Sequence, residues 1–204
     1  MIGSTTESRI NTTTGGYQNE QSVTALVNGG WVVTWQQDYA IYQQAYDAHG
    51  EMLGSETRVS PDHSFYSVFY MAPHAVALPG GGWVTMWGSS SAGLYTQTYE
   101  ADGIAVGPVK TVTEFGATDP QEDKIVPLPD GGWIVSWSNT NGQNKGVYIS
   151  AFDADGDPFV SELRVDTNLT SVWIANATVT TLAEGGWVLT WVASSNGQDY
   201  RLHQ

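Results

Sequence analysis

Cysteine is absent from this 204-residue sequence. That excludes a disulfide framework, a zinc-thiolate site and a cysteine nucleophile. Basic residues are scarce: seven Lys and Arg stand against 21 Asp and Glu, a formal charge of −14. A nucleic-acid partner would be repelled over most of such a surface, and no basic stripe offsets the repulsion. The acidity reads first as solubility in secreted or salty surroundings, with calcium binding as the other reading. No apolar run approaches about 18 residues, so neither a transmembrane helix nor membrane insertion is expected. The opening MIGSTTESRI lacks the basic flank and apolar stretch of a signal peptide. Export would then rest on a signal outside these residues or on a larger polypeptide. No nucleophile elbow, HExxH, P-loop or Rossmann fingerprint is present either. On these grounds an enzyme is disfavoured and no catalytic residue is assigned.

What the sequence does have is a stretch that recurs four times. GGWVVTW occupies 29–35, GGWVTMW 81–87, GGWIVSW 131–137 and GGWVLTW 185–191. The first tryptophans, Trp31, Trp83, Trp133 and Trp187, lie 52, 50 and 54 residues apart. A period of this size marks a repeat architecture whose units bury their apolar faces against one another.

Turn chemistry divides each unit into strands a to d. A short apolar strand a precedes each Trp, joined to it through Asn28-Gly29, Gly80-Gly81, Asp130-Gly131 or Glu184-Gly185. The first three pairs suit a two-residue hairpin turn, and the Glu-Gly pair fits it least. Strand b alternates with period two, yet both of its faces are largely apolar, so it should be covered on both sides. Strand c carries a tyrosine read as equivalent in all units (Tyr42, Tyr95, Tyr148, Tyr200) and runs into a glycine turn (DAHG, EADG, DADG). Strand d is more polar, as an outer strand should be.

The fourth unit has no strand d, and residues 7–11 (ESRIN) match ETRVS at 56–60 and ELRVD at 162–166. The expectation is an all-β four-bladed β-propeller with four antiparallel strands per blade. The N-terminal strand would complete the last blade and close the ring. As one domain over 1–204, its blades span about 14–60, 61–113, 114–167 and 168–204 plus 1–13. Eight of the nine tryptophans then serve blade-to-blade packing, each with about 3–5 kcal/mol at stake on truncation.

RINTTTGG (9–16), VTALVNGGWVVTW (23–35) and IYQQAYDAHG followed by SETRVS (41–60) resemble a tandem module of large bacterial exoproteins of the RTX and adhesin type. The resemblance covers essentially the whole chain in looser form. It implies a secreted or surface-attached protein with a binding or adhesive role and carbohydrate as a plausible ligand. The calcium nonapeptide GGxGxDxUx of that family is absent, so its calcium-coil function does not carry over.

Candidate ligand residues gather in the loops entering strand a, which share one face of the disc with the b–c loops. They are Tyr17, Tyr66, Tyr70 and Trp173, with Gln121 and Asn176 as polar partners. Aromatic platforms beside amides suit sugar rings, and local core packing is the alternative. The b–c loops add Asn139, Asn141, Gln143, Asn196 and Gln198. Asp153, Asp155 and Asp157 invite a calcium reading, but Gly156 comes too early for an EF-hand and a hairpin turn fits better. Asp119, Glu122 and Asp123 are equally weak. No cofactor is assigned beyond the calcium reading. His74 opens strand a and could look into a central channel. The function expected is a non-catalytic, lectin-like or adhesive module for a glycan or cell-surface ligand. A self-assembling structural unit, which would include homo-oligomers, is the alternative, and a propeller glycoside hydrolase is the second.

Overall fold

The computed structural model describes residues 7–61, 70–89, 93–113, 123–139, 145–166 and 173–204, with the side chains of 70–72 excepted. Every regular element among them is a strand. The first sheet runs β1 (Gln18–Ala25), β2 (Trp31–Gln37), β3 (Ala40–Tyr46) and β4 (Met52–Arg58). The second runs β5 (Tyr70–Ala77), β6 (Trp83–Ser89), β7 (Gly93–Tyr99) and β8 (Ala105–Thr111). The third holds β9 (Lys124–Pro127), β10 (Trp133–Asn139), β11 (Gly146–Phe152) and β12 (Pro158–Arg164). The last has three strands, β13 (Trp173–Thr181), β14 (Trp187–Ser194) and β15 (Tyr200–His203). All pairs are antiparallel, and the sheets follow one another in a propeller-like succession. β1 packs beside β5, β5 beside β9 and β9 beside β13.

The Gly-Gly step has two physical causes. In all four hairpins the glycine N–H bonds the Leu carbonyl three residues back, as from Gly29 to Leu26 at 3.0 Å, with that glycine at positive φ. The Leu N–H in turn reaches the carbonyl of the second glycine, Leu26 to Gly30 at 2.8 Å. This is a three-residue loop with a glycine bulge rather than the expected two-residue turn. It asks for one left-handed residue only, which is why Glu184 is accommodated before Gly185. The second glycine answers a different need. A Cβ on Gly30, Gly82 or Gly132 would run into the carbonyl oxygen of Tyr46, Tyr99 or Phe152 across the sheet.

Every strand b tryptophan except Trp187 stacks on a ring of strand c. Trp83 lies 5.2 Å from Tyr99, Trp133 5.3 Å from Phe152 and Trp137 5.7 Å from Tyr148. In the two middle sheets strand b is buried throughout, as its two apolar faces anticipate. Leu78, Met86 and Leu94 of the second sheet meet Ile125, Trp133 and Trp137 of the third in one cluster. The sheet pairs on either side repeat the arrangement. Polar bonds cross the same seams: the Trp83 indole N–H donates to Gln43 Oε1 at 3.3 Å, and the Thr85 hydroxyl donates to it at 2.9 Å. The outer strands β4, β8 and β12 are mostly exposed, as their polar composition requires.

Two expectations need correction. The residue of β15 that faces Trp191 is His203, stacked at 5.6 Å, so His203 and not Tyr200 is the counterpart of Tyr42, Tyr95 and Tyr148. Trp191 and its partner lie 12 residues apart, against 7, 8 and 11 in the other sheets, and this shifts the register. The ring closure is not formed either. Residues 7–17 contain no strand, β15 pairs with β14 alone among the described residues, and Thr12 bonds Glu56 through its N–H (2.6 Å) and hydroxyl (2.8 Å). Glu56 thereby offers the N-terminal segment a charge-assisted anchor on the first sheet.

Candidate functional site

Matching positions of the inner strands are fixed by the ladder. Ser22 faces Thr34, His74 faces Met86, Lys124 faces Ser136 and Thr178 faces Thr190. Just before this level β1, β5 and β13 lose register in a bulge. Bulges re-aim side chains, and here they turn two residues at the same place of the repeat. Glu20 has φ 54° and Asn176 φ 57°, a left-handed backbone that non-glycine residues adopt at a cost of about 1–3 kcal/mol. Backbone strain of this kind gathers where function constrains the chain.

Three titratable groups converge at this level from three successive sheets. Burial of the His74 ring pushes its pKa below the ordinary value, the Lys124 ammonium pushes it the same way, and the Glu20 carboxylate opposes both. The imidazole is therefore neutral at pH 7. Glu20 and Lys124 are exposed, whereas His74 is partly covered. A carboxylate, a neutral imidazole and an ammonium thus share one electrostatic environment. They can bind polyhydroxylated ligands and can pass a proton. Asp123, one residue before Lys124, is buried in the seam. Asp119 and Glu122 lie outside the described residues.

The residues singled out from the sequence are dispersed. Tyr17 is exposed and clipped to the first b–c hairpin: its N–H donates to Asp38 Oδ1 at 2.9 Å and its carbonyl accepts from Asp38 N–H at 3.1 Å. Trp173 opens β13 and meets Tyr200 edge to face at 5.2 Å, both rings partly open to solvent. Tyr17 and Trp173 belong to the first and last sheets of the succession. Asn176 is the bulge residue described above. Tyr70 is placed by its backbone opposite Ser89, while Tyr66 and Gln121, with Asn141 and Gln143, lie outside the described residues. Asn139 is buried, and Asn196 is engaged in its own turn, accepting from Gln198 and Asp199 N–H at 2.9 and 2.8 Å.

The aspartate triplet forms a hairpin turn. Asp153 Oδ1 accepts from the N–H groups of Asp155 (3.0 Å) and Asp157 (2.9 Å), and Asp157 pairs with Lys110 at 3.1 Å. No cluster of three or more His, Asp or Glu suited to a metal occurs among the described residues.

Sequence reading put His74 near a channel but missed Glu20 and Lys124 as its companions. The available signal was position in the repeat: Lys124 holds the place of His74, and Glu20 lies two residues before that place in the first sheet.

No family model matches the chain, and no curated protein matches it. Solved structures do. A Bifidobacterium bifidum s17 protein provisionally named an exo-beta-1,3-galactanase superposes with a TM-score of 0.54 at 11% identity, over 90% of this chain. This chain spans 65% of that protein's length. A thermostable family-43 glycoside hydrolase gives 0.48 at 10% identity, over 90% of this chain and 69% of the other. An endo-arabinase from Bacteroides thetaiotaomicron VPI-5482 gives 0.41 at 14%, over 86% and 70%. The first of these likenesses carries the fold. The expectation of a non-catalytic, lectin-like module is corrected by it: the similar structure carries the name of a glycan-cleaving protein, not of an adhesive module. That expectation leaned on the lack of contiguous catalytic motifs, whereas a propeller-like fold assembles its groups from strands far apart in sequence.

Proposed function

We propose that this chain is a propeller-type glycoside hydrolase whose chemistry sits at the inner strands, on Glu20, His74 and Lys124. One observation carries the proposal: His74 and Lys124 hold the same ladder place in neighbouring sheets, Glu20 sits at the bulge just before that place in the first sheet, and both charges act on His74. The galactanase name of the similar structure supports the substrate class, a glycan polymer. Glycosidic cleavage passes through a transition state with positive charge on the sugar ring. In the proposed step neutral His74 takes a proton from water as its oxygen bonds the anomeric carbon. The bond to the leaving oxygen breaks, and that oxygen takes a proton from Lys124. The imidazolium proton returns to Lys124 through solvent, and the Glu20 carboxylate stabilises the ring charge. Water and one glycosidic bond are consumed, two hydroxyl-ended sugars form, and no cofactor enters. Secretion, implied by the exoprotein resemblance, belongs to the same proposal, because polymeric glycans lie outside cells.

The test is release of reducing ends from β-1,3-galactan, arabinan and xylan. The wild type should cleave at least one of them, and Glu20→Gln and His74→Asn should each lower kcat by about 10²–10⁴ with the fold unchanged. Absence of release from the whole panel, or full activity in both variants, overturns the proposal.

A further inference from the structure

Among the described residues the contact that joins neighbouring sheets is made three times and is incomplete at both ends: the first sheet keeps Val33 and Trp35 covered, beside Ile10, but leaves Val23 exposed, and the last sheet leaves Leu182 and Leu202 exposed. Each seam sets a receiving face of one sheet against a tryptophan face of the next. On the receiving side Ile41, Leu94 and Val147 occupy one place of the repeat and are at most 1% exposed, whereas their counterpart in the last sheet, Leu202, is 78% exposed. Leu26, Leu78 and Leu128 are at most 9% exposed, and the matching Leu182 is 44% exposed. On the tryptophan side Ala75, Ile125 and Val179 are at most 8% exposed, while Val23 of the first sheet is 68% exposed. The last sheet therefore lacks what the first sheet has, and the reverse also holds.

The open edge repeats the same rule. After strands β4, β8 and β12 come Val59, Val112 and Val165, whose N–H groups bond the carbonyls of Ile41, Leu94 and Val147 at 2.7, 2.8 and 2.9 Å. Ile10 is their counterpart in the run Arg9-Ile10-Asn11. It borders a cavity of about 190 Å³ with Val33 and Trp35 of the first sheet, and that run forms no strand. The carbonyl that Ile10 would bond by the same rule belongs to Leu202, on the strand with one described neighbour.

We infer that a second copy of this chain occupies these faces, head to tail. Residues 7–11 of one copy add to β15 of the other as its fourth strand, and Val23 and its neighbours cover Leu182, Val188 and Leu202. An exposed edge with an exposed apolar face is the kind of surface that takes an added strand, and among the described residues these two ends match each other by the rule of the repeat. The contact is heterologous, because the two surfaces differ.

That asymmetry provides the test. Sedimentation velocity of the wild type at 0.15 M salt, where the −14 charge of each copy is screened, should show species above the monomer that grow with concentration. Val23→Glu blocks one face and Leu202→Glu the other, and both positions are exposed enough to leave the sheet intact. Each variant alone should stay monomeric. Their equimolar mixture should form a dimer of twice the monomer mass and stop there, since each retains one working face. Hydrogen exchange offers a readout without substitution, with the amides of β15 gaining protection as wild-type concentration rises. A wild type that stays monomeric at every concentration, single variants that associate as the wild type does, a mixture that fails to pair, or β15 protection independent of concentration would each overturn the inference. None of these outcomes bears on hydrolysis at the inner strands.

Discussion

Trp133 and Trp187 hold the same place in the repeat and should differ sharply in what they contribute. Trp133 is 0% exposed, stacked on Phe152 at 5.3 Å and 17°, and set between the two middle sheets. An indole of this kind removes roughly 150–250 Å² from water, and its truncation leaves a closed cavity. Trp133→Ala should cost about 3–5 kcal/mol. Trp187 is 40% exposed, and β15 ends before any residue faces it as Phe152 faces Trp133. Less area returns to water on truncation and solvent reaches the gap, so Trp187→Ala should cost about 1–2 kcal/mol. The measurement is urea unfolding followed by far-UV circular dichroism, which does not depend on the indole removed. With a slope of about 2 kcal/mol per molar, the midpoint should fall by about 2 M for Trp133→Ala and by less than about 1 M for Trp187→Ala. Equal shifts, or a larger one for Trp187→Ala, would refute the argument that packing depends on the seam rather than on the motif.

Two further predictions concern the hairpins and the inner strands. Gly82→Ala drives a methyl into the Tyr99 carbonyl and should cost about 2–4 kcal/mol, whereas Gly80→Ala, with open space around it, should be neutral or stabilise by up to about 1 kcal/mol; thermal melts of the pair decide. Because burial and Lys124 depress the His74 pKa, the folded state favours the neutral ring. The associated stability is complete above the unfolded value of about 6.5 and is lost as pH falls from there through the lowered native value. Urea midpoints taken from pH 8 to pH 5 should decline more steeply in the wild type than in His74→Asn, and parallel curves would exclude the coupling.

Several features were legible because they are local. The hairpin glycines, the two-sided burial of strand b and the polarity of strand d each follow from a few adjacent residues and the period of the strand. The register of the last sheet was not legible in this way. Tyr200, nine residues beyond Trp191, falls within the 7 to 11 residues that separate the other tryptophans from their tyrosines, but the turn through Asn196 carries His203 to the stacking position instead. Turn length acts on every residue beyond it, and sequence spacing alone does not reveal where the extra residues are absorbed. The inner-strand group was hidden for a related reason: Glu20, His74 and Lys124 lie 54 and 50 residues apart and share no motif.

The sequence by itself determined an all-β chain of repeated hairpins with indoles between its sheets, since periodic apolar positions and obligatory glycines admit few other arrangements. Only the tertiary structure decided which end faces stay open, which ring stacks on Trp191 and which charges meet at the inner strands. Those outcomes depend on how whole sheets pack and on where an extra turn residue is accommodated, and both are properties of distances that the order of residues does not contain.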